Sequence, residues 1–297
     1  MAILGAIEAG GTKFVCAIGK EDGSVIERVQ FDTLLPEQTI PQVIAFFKQY
    51  DIRSLGIGSF GPVHINPDES NYGQIASTPK KGWRNYPFLA EMQAAFDIPM
   101  KFNTDVNGAA LGESMHGAAT DVESCMYITV GTGIGAGAVN HQQLLQGLSH
   151  PEMGHIIVRR HEDDTYEGGC PYHGDCLEGL ASGPAIEARW GEKGVDLQDK
   201  LEVWELEAYY LAQAIMQYIL ILSPKRIIMG GGVMKQKQMF PLIHQNVQEM
   251  LNGYIDMPEI SQQIDQYIVP PALGDDAGIV GALMLAKQAL EDDELQQ

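Results

Sequence analysis

Residues 3–18 read ILGAIEAGGTKFVCAI, and residues 127–139 read YITVGTGIGAGAV. In each stretch a glycine-rich turn joins two short apolar runs, a pattern typical of paired antiparallel strands. The first stretch is followed by an apolar run at 25–31, an amphipathic helix near 40–50 and a buried strand at 55–60. The spacing therefore predicts a strand meander that leads into an α/β unit.

The second stretch opens a similar series. The pattern predicts a strand at 156–158, helices at 184–190 and 201–222, a strand at 226–229, a helix after Gly232 and a last helix at 275–290. This repeated order predicts two duplicated α/β domains that face a cleft. We place the N-terminal domain at 1–117 and the larger C-terminal domain at 118–297, with the final helix able to pack back on the first domain.

Composition limits the classes of partner. The chain has 297 residues and a formal net charge of −20, which disfavours binding to nucleic acid or to an anionic membrane surface. The N-terminus has no basic region before its apolar run, and the most apolar helical run, 209–222, is too short and too polar to span a bilayer. We therefore expect a cytoplasmic protein, in which Cys16 and Cys125 are core residues.

Three glycine turns are candidate ligand sites. Gly10 and Gly11 can take positive φ and expose the backbone to a phosphate, with Thr12 adding a hydroxyl, although a plain hairpin turn would also use two glycines. The turn Gly131-Thr132-Gly133 formally fits a dinucleotide fingerprint through Gly131, Gly133 and Ala136, with Glu152 about 20 residues on. Because an extended run follows, we favour a second phosphate turn and keep the dinucleotide alternative open.

The third turn is Gly230-Gly231-Gly232, which follows an apolar strand. Three glycines there would let a flat ring such as adenine pack on the backbone, close to a helix N-terminus that favours negative charge. Close packing of a helix on the strand is the alternative interpretation.

Asp105 follows a short predicted strand at the start of a helix. A helix N-cap is the ordinary role of an aspartate in this position. The functional alternative is a general base that orients a substrate hydroxyl and accepts its proton during phosphoryl transfer.

His155, Cys170, His173 and Cys176 are separated by 15, 3 and 3 residues in a loop rich in glycine and proline. Two cysteines and two histidines at this spacing suit a closed tetrahedral zinc site, which would be structural because it leaves no open position. A Cys170–Cys176 disulfide is the alternative, disfavoured in a cytoplasmic protein. We expect the nearby His150 and His161 to lie on the surface.

Together these motifs resemble the ROK sugar kinases, and within them the bacterial fructokinase branch. The resemblance runs nearly end to end. Its motifs are IEAGGTKF (7–14), GSFGP (58–62), STPKKGW (77–83), TDVN (104–107), GTGIG (131–135), EMGH (152–155), GGG (230–232) and LGDDAG (273–278).

The resemblance implies a two-domain, actin-like and ribonuclease-H-like ATPase fold, with Asp105 as the catalytic base. It implies that ATP contacts Gly10, Gly11, Thr12, Lys13, Gly131, Thr132, Gly133, Pro184, Gly230, Gly231, Gly232 and Lys235. It implies that the sugar contacts Gly61, Thr104, Asp105, Glu152, His155 and Glu178. Mg²⁺ would accompany ATP, and a homodimer is common in the family.

Two departures from the glucose-specific pattern favour the fructokinase branch. Thr104 stands where many glucose-specific members carry Asn, and His173 replaces a zinc-binding cysteine. We expect ATP-dependent phosphorylation of fructose at O6 and also of mannose, with mannokinase, glucokinase and N-acetylhexosamine kinase as alternatives. A ROK-type repressor is disfavoured because Gly10 leaves no room for a preceding helix-turn-helix.

Overall fold

Two five-stranded mixed sheets organise the chain, and the computed structural model describes residues 2–296. The first sheet contains β1 (Leu4–Ala9), β2 (Lys13–Gly19), β3 (Val25–Asp32), β4 (Ser54–Ser59) and β5 (Met100–Thr104), in the order β3-β2-β1-β4-β5. The second contains β6 (Ser124–Val130), β7 (Ile134–Asn140), β8 (Gln143–Leu144), β9 (Ile227–Gly230) and β10 (Ile268–Val269), in the order β8-β7-β6-β9-β10. Both sheets therefore place their strands in the same relative order, as a duplicated unit would.

The helices connect and cover these sheets. They are α1 (Pro36–Phe47), α2 (Phe88–Ala95), α3 (Asp105–His116), α4 (Leu177–Ala181), α5 (Gly183–Trp190), α6 (Leu201–Leu222), α7 (Met239–Leu251), α8 (Pro258–Ser261), α9 (Ile264–Tyr267) and α10 (Ala277–Gln296). Within residues 2–296, no helix combines the length and the apolar character needed to cross a bilayer.

Strand pairing brings several loops to one edge of the first sheet. β1, β4 and β5 are parallel, and their register aligns Ala9 with Ser59 and Ser59 with Thr104. Because the carboxyl ends of parallel strands meet at one edge, the segments that follow these three residues converge there. In the second sheet, the parallel pairing of Thr129 with Gly230 brings the turns after β6 and β9 together in the same way.

The central strands of the first sheet are buried on both faces, whereas β3 at its edge is mostly exposed. On one face, an aromatic core contains Phe14, Phe47 and Trp83. On the other face, Leu4 of β1 shares a core with Leu283 of α10, so the C-terminal helix lies on the N-terminal sheet. The domain boundary at residue 117 stays a prediction.

The second sheet packs on α6 through one core and on α3 through another. Trp204, Leu211 and Ile215 of α6 form a core with Ile128 and Met229. The predicted core positions of Cys16 in β2 and Cys125 in β6 are confirmed, since both are buried.

Three predicted elements differ from those observed. Residues 156–158 form no strand: a 3-10 turn covers Met153–His155, and Ile157 makes only an isolated bridge with Cys176. The segment after Gly232 forms a 3-10 turn at Val233–Lys235 before α7 begins. α1 begins at Pro36 rather than near residue 40 because proline favours the first turn of a helix.

Candidate active site

Two cavities meet at the start of α3. The larger has a volume of about 1040 Å³ and the smaller about 720 Å³. Asp105, Val106 and Thr129 line both of them. The Asp105 carboxyl group therefore lies where a ligand in one cavity would approach a ligand in the other.

The local sequence fixes Asp105 in this position. Thr104 is the N-cap of α3, and its Oγ1 accepts a hydrogen bond from the Asn107 N–H at 3.1 Å. The N-cap prediction for Asp105 is therefore wrong: the aspartate is the first helical residue, because β5 ends one residue before it. Its Oδ1 accepts a hydrogen bond from the Val106 N–H at 2.8 Å, which holds the carboxyl group at the helix start.

Glu8 is a candidate site residue that the sequence interpretation missed. It lies near the end of β1 and lines the smaller cavity beside Asp105. Burial and the negative charge of Glu8 raise the pKa of Asp105 to about 7. Burial also raises the pKa of Glu8 to about 7, against the opposing charge of Lys13. The available signal was a carboxylate inside an otherwise apolar strand, which is costly unless a proton or a cation compensates it.

In the first glycine turn, backbone groups approach each other closely, and the glycines do not use positive φ. Neither Gly10 nor Gly11 adopts positive φ, in contrast to the conformation considered from the sequence. The Gly10 N–H donates to the Lys13 carbonyl at 2.9 Å, and the Thr33 hydroxyl donates to the Gly10 carbonyl at 2.7 Å. Gly11 and Thr12 line the larger cavity, and Lys13 lines the smaller one.

The second glycine turn leads directly into a strand. A dinucleotide-binding turn must lead into a helix, but the described residues after this turn form strand β7, which begins at Ile134. The dinucleotide alternative is therefore wrong. Gly131, Thr132 and Gly133 all line the larger cavity. The Gly183 N–H donates to the Gly131 carbonyl at 2.7 Å, which places the loop before α5 against this turn.

The third glycine turn borders the smaller cavity through Gly230, Gly231 and Lys235. Gly231 has a φ of +91°, and a Cβ there would lie 2.4 Å from the Val130 carbonyl oxygen. Close backbone packing alone is therefore enough to require a glycine at residue 231, which was the alternative to a role in ligand binding. The Lys235 ammonium is 2.9 Å from Asp275 Oδ2.

Three residues on the predicted ATP list line neither cavity. They are Gly10, Pro184 and Gly232.

All predicted sugar-contacting residues lie together. The larger cavity is lined by Gly61, Thr104, Asp105, Glu152, His155 and Glu178. Glu178 Oε2 accepts a hydrogen bond from the Ile134 N–H at 2.9 Å, and its Oε1 is 3.9 Å from His155 Nε2. This cavity therefore combines several carboxyl groups, which suit the hydroxyl groups of a polyol.

His150 is buried, so its predicted surface position is wrong. Its Nε2 accepts a hydrogen bond from the Val63 N–H at 3.1 Å, and burial lowers the pKa of the ring. The neutral ring therefore carries its proton on Nδ1, which is 3.5 Å from Glu152 Oε1. His150 and Glu152 both line the larger cavity, where their side chains are close to each other.

The side chains of His155, Cys170, His173 and Cys176 form a compact cluster. One ligand atom from each lies within 4.8 Å of the others. His155 Nδ1 is 3.7 Å from Cys170 Sγ and 3.5 Å from Cys176 Sγ. Tetrahedral zinc bonds to nitrogen and sulfur would give a nitrogen-to-sulfur separation of about 3.6 Å. The cluster could therefore hold a zinc ion, and the disulfide alternative is wrong because both cysteines are free.

Similarity to known proteins identifies the family. The ROK family model matches residues 4–289. A protein of Bacillus subtilis (strain 168) is 61% identical over 289 residues, covering 97% of each chain. A fructokinase of Pediococcus pentosaceus is 45% identical, covering 98% of this chain and 99% of its own.

A solved structure confirms the predicted actin-like kinase fold. The crystal structure of a ROK hexokinase from Thermus thermophilus superposes with a TM-score of 0.81 at 23% identity, covering 98% of this chain and 99% of that one. Since the family model spans nearly the whole sequence, the chain belongs to the ROK family.

Proposed function

We propose that this protein transfers the γ-phosphoryl group of ATP to O6 of D-fructose and releases fructose 6-phosphate and ADP. The position of Asp105, on the wall shared by the two cavities, carries this proposal. The substrate class is supported by the fructokinase relative, which is 45% identical over nearly the full chain. Mannose is a second acceptor that the same cavity would accommodate.

Asp105 orients the sugar hydroxyl and receives its proton. As the bond from O6 to phosphorus forms, the bond from the γ-phosphorus to the ADP oxygen breaks, and the O6 proton passes to the Asp105 carboxylate. A hydroxyl group has a far higher pKa than this carboxylate, so the proton moves late, when the oxygen already bonds to phosphorus.

The two cavities divide the substrates. The hexose occupies the larger cavity, where Glu152, His155 and Glu178 meet its hydroxyl groups. The nucleotide occupies the smaller cavity near Gly230, and its phosphates extend toward the turns at 10–13 and 131–133. Backbone N–H groups bind these phosphates, so the net charge of −20 does not prevent the binding of ATP.

Two metals complete the proposal. Glu8 is a buried carboxyl group on the wall of the nucleotide cavity and fits a magnesium ligand, because a cation would offset the cost of burying its charge. Mg²⁺ bound with ATP would neutralise charge on the phosphates. Zinc in the Cys/His cluster, comprising His155, Cys170, His173 and Cys176, would be structural.

We also propose that the protein acts in the cytoplasm as a homodimer. Free cysteines and the use of ATP support the compartment. Membership of the ROK family supports the dimer. Light scattering on purified protein should give twice the chain mass of 32.5 kDa.

A coupled assay of ADP release on a panel of hexoses tests the reaction. The panel contains fructose, mannose, glucose and N-acetylglucosamine, each with ATP and Mg²⁺. We expect the highest kcat/KM with fructose and a lower value with mannose. A dominant response to glucose with none to fructose would overturn the sugar assignment, and no ADP release with any hexose would overturn the kinase assignment.

A further inference from the structure

The segment 77–83 contributes residues 77–80 to the wall of the larger cavity and has a rigid base. Trp83 is fully buried, and its Nε1 donates a hydrogen bond to the Leu34 carbonyl at 2.8 Å. Its ring packs against Phe14, with centroids 5.2 Å apart, and against Phe60, with centroids 5.8 Å apart. Phe14 follows the first glycine turn and Phe60 precedes Gly61, so Trp83 ties the segment to the strand after that turn and to the end of β4.

Lys80 extends from this segment toward the first glycine turn. Its backbone N–H is 3.2 Å from Thr78 Oγ1, which anchors the residue to a buried threonine. Its ammonium group donates a hydrogen bond to the Gly11 carbonyl at 2.5 Å. This partner is neutral, so the charge of Lys80 is not cancelled by it.

The larger cavity has a marked imbalance of charge. Its described lining includes Asp105, Glu152 and Glu178, but Lys80 is its only lysine or arginine. Lys13 and Lys235 line the smaller cavity, on the nucleotide side. A phosphoryl group that moves onto the sugar would therefore enter a region of negative charge, where repulsion opposes the transfer.

We propose that the Lys80 ammonium binds the phosphoryl group during its transfer and then the 6-phosphate of the product. The inference rests on the proposed phosphorylation of a hexose. The Gly11 contact places the ammonium beside the turn that is expected to hold the phosphates, and the lysine stem is flexible enough to exchange a carbonyl for a phosphate oxygen. Lys80 is therefore a catalytic residue that acts on the sugar side.

Lys80→Met removes the charge while keeping most of the stem, and Lys81→Met is the matched control. Lys81 is exposed and lines neither cavity. Removing one donor to a transition-state oxygen typically costs about 10²-fold to 10³-fold in kcat. We expect a loss of about 10²-fold for Lys80→Met, less than about twofold for Lys81→Met, and partial recovery in Lys80→Arg.

Titration calorimetry measures ligand affinity without turnover, so it distinguishes the loss of a phosphate contact from general damage to the site. In Lys80→Met, we expect the Kd for fructose to stay within about threefold and the Kd for fructose 6-phosphate to rise about tenfold or more. An unchanged affinity for fructose 6-phosphate, an equal loss for both ligands, or a kcat within about threefold of wild type would each overturn the assignment. If the wild-type protein turns over another hexose, the fructose assignment fails, and the same measurements use that hexose and its 6-phosphate.

Discussion

Glu178 accepts a hydrogen bond from the Ile134 backbone N–H at 2.9 Å. The other carboxyl oxygen of Glu178 is 3.9 Å from Nε2 of His155, whose Nδ1 lies in the Cys/His cluster. One side chain therefore lies between the second glycine turn and the cluster, on the wall of the larger cavity. Displacement of this carboxyl group would disturb the phosphate turn and the sugar site together.

Glu178→Ala should lower kcat/KM for the hexose by about 10-fold to 100-fold, because a hydrogen bond to a charged group contributes about 1.5–3 kcal/mol. Glu178→Gln keeps an acceptor for the Ile134 N–H and should lose less. Steady-state kinetics of both variants test this order. Equal losses would show that the charge, rather than the hydrogen bond to Ile134, is what the site requires.

Metal analysis of untagged protein should find about one zinc ion per chain, and Cys176→Ser should remove it. Loss of the ion frees the loop that carries Cys170 and His173, so we expect the Tm to fall by about 5 °C or more. Cys16→Ala is the control, because Cys16 is buried in β2 away from the cluster and its replacement should leave the zinc content unchanged. A fully stable, zinc-free wild-type protein would contradict the structural role.

Sequence patterns identified the features that depend on neighbouring residues. The turns at 10–13 and 131–133 are contiguous, and the ligands of the Cys/His cluster lie within 22 residues of sequence, so composition and spacing predict them. The duplicated strand order was also visible, because short apolar runs separated by glycine turns recur in both halves.

Features that depend on tertiary neighbours were not predictable in this way. Glu8 lies in the candidate site because its strand ends beside α3, which is formed about a hundred residues later in the chain. His150 is buried because Val63 supplies a hydrogen-bond donor from the other half of the sequence. Lys80 lies in the STPKKGW motif (77–83), but the sequence did not suggest a role for its ammonium group. That role depends on its position in the wall of the larger cavity.

Asp105→Asn should lower kcat by about 10²-fold to 10⁴-fold, since it removes the proton acceptor. The affinity for a non-hydrolysable ATP analogue should stay within about threefold, because the glycine turns that hold the phosphates are intact. Single-turnover kinetics and a binding titration measure the two quantities. A near-normal kcat would reject the assignment of Asp105 as the base.

The pH dependence of kcat/KM should report the raised pKa of Asp105. Burial and the charge of Glu8 bring this pKa to about 7, and only the deprotonated carboxyl group can accept a proton. The value of kcat/KM at constant Mg²⁺ and ATP should therefore decline as the pH falls below about 7, approaching tenfold per pH unit. A flat profile between pH 5.5 and 7.5, a range of about two units, would contradict this environment for the base.

Glu207→Gln should stabilise the protein at neutral and alkaline pH. Glu207 lies in α6 with 1% of its surface exposed, and both of its carboxyl oxygens lack a hydrogen-bond partner within the described structure. Burial raises the pKa of Glu207 well above its usual value. The protonated carboxyl group therefore contributes stability below the unfolded-state pKa, and this contribution is lost as the pH rises through the higher folded-state pKa.

Thermal unfolding followed by circular dichroism at pH 5 and pH 8 measures this difference. The two proteins should have similar Tm values near pH 5, and Glu207→Gln should unfold about 2–4 °C higher at pH 8, which corresponds to about 1 kcal/mol for a chain of this size. Glu205→Gln is the matched control, because Glu205 is exposed on the same helix. If Glu205→Gln raises the Tm at pH 8 by the same amount, the effect is due to net charge. If Glu207→Gln does not raise the Tm at pH 8, the folded protein holds the ionised Glu207 carboxylate without penalty.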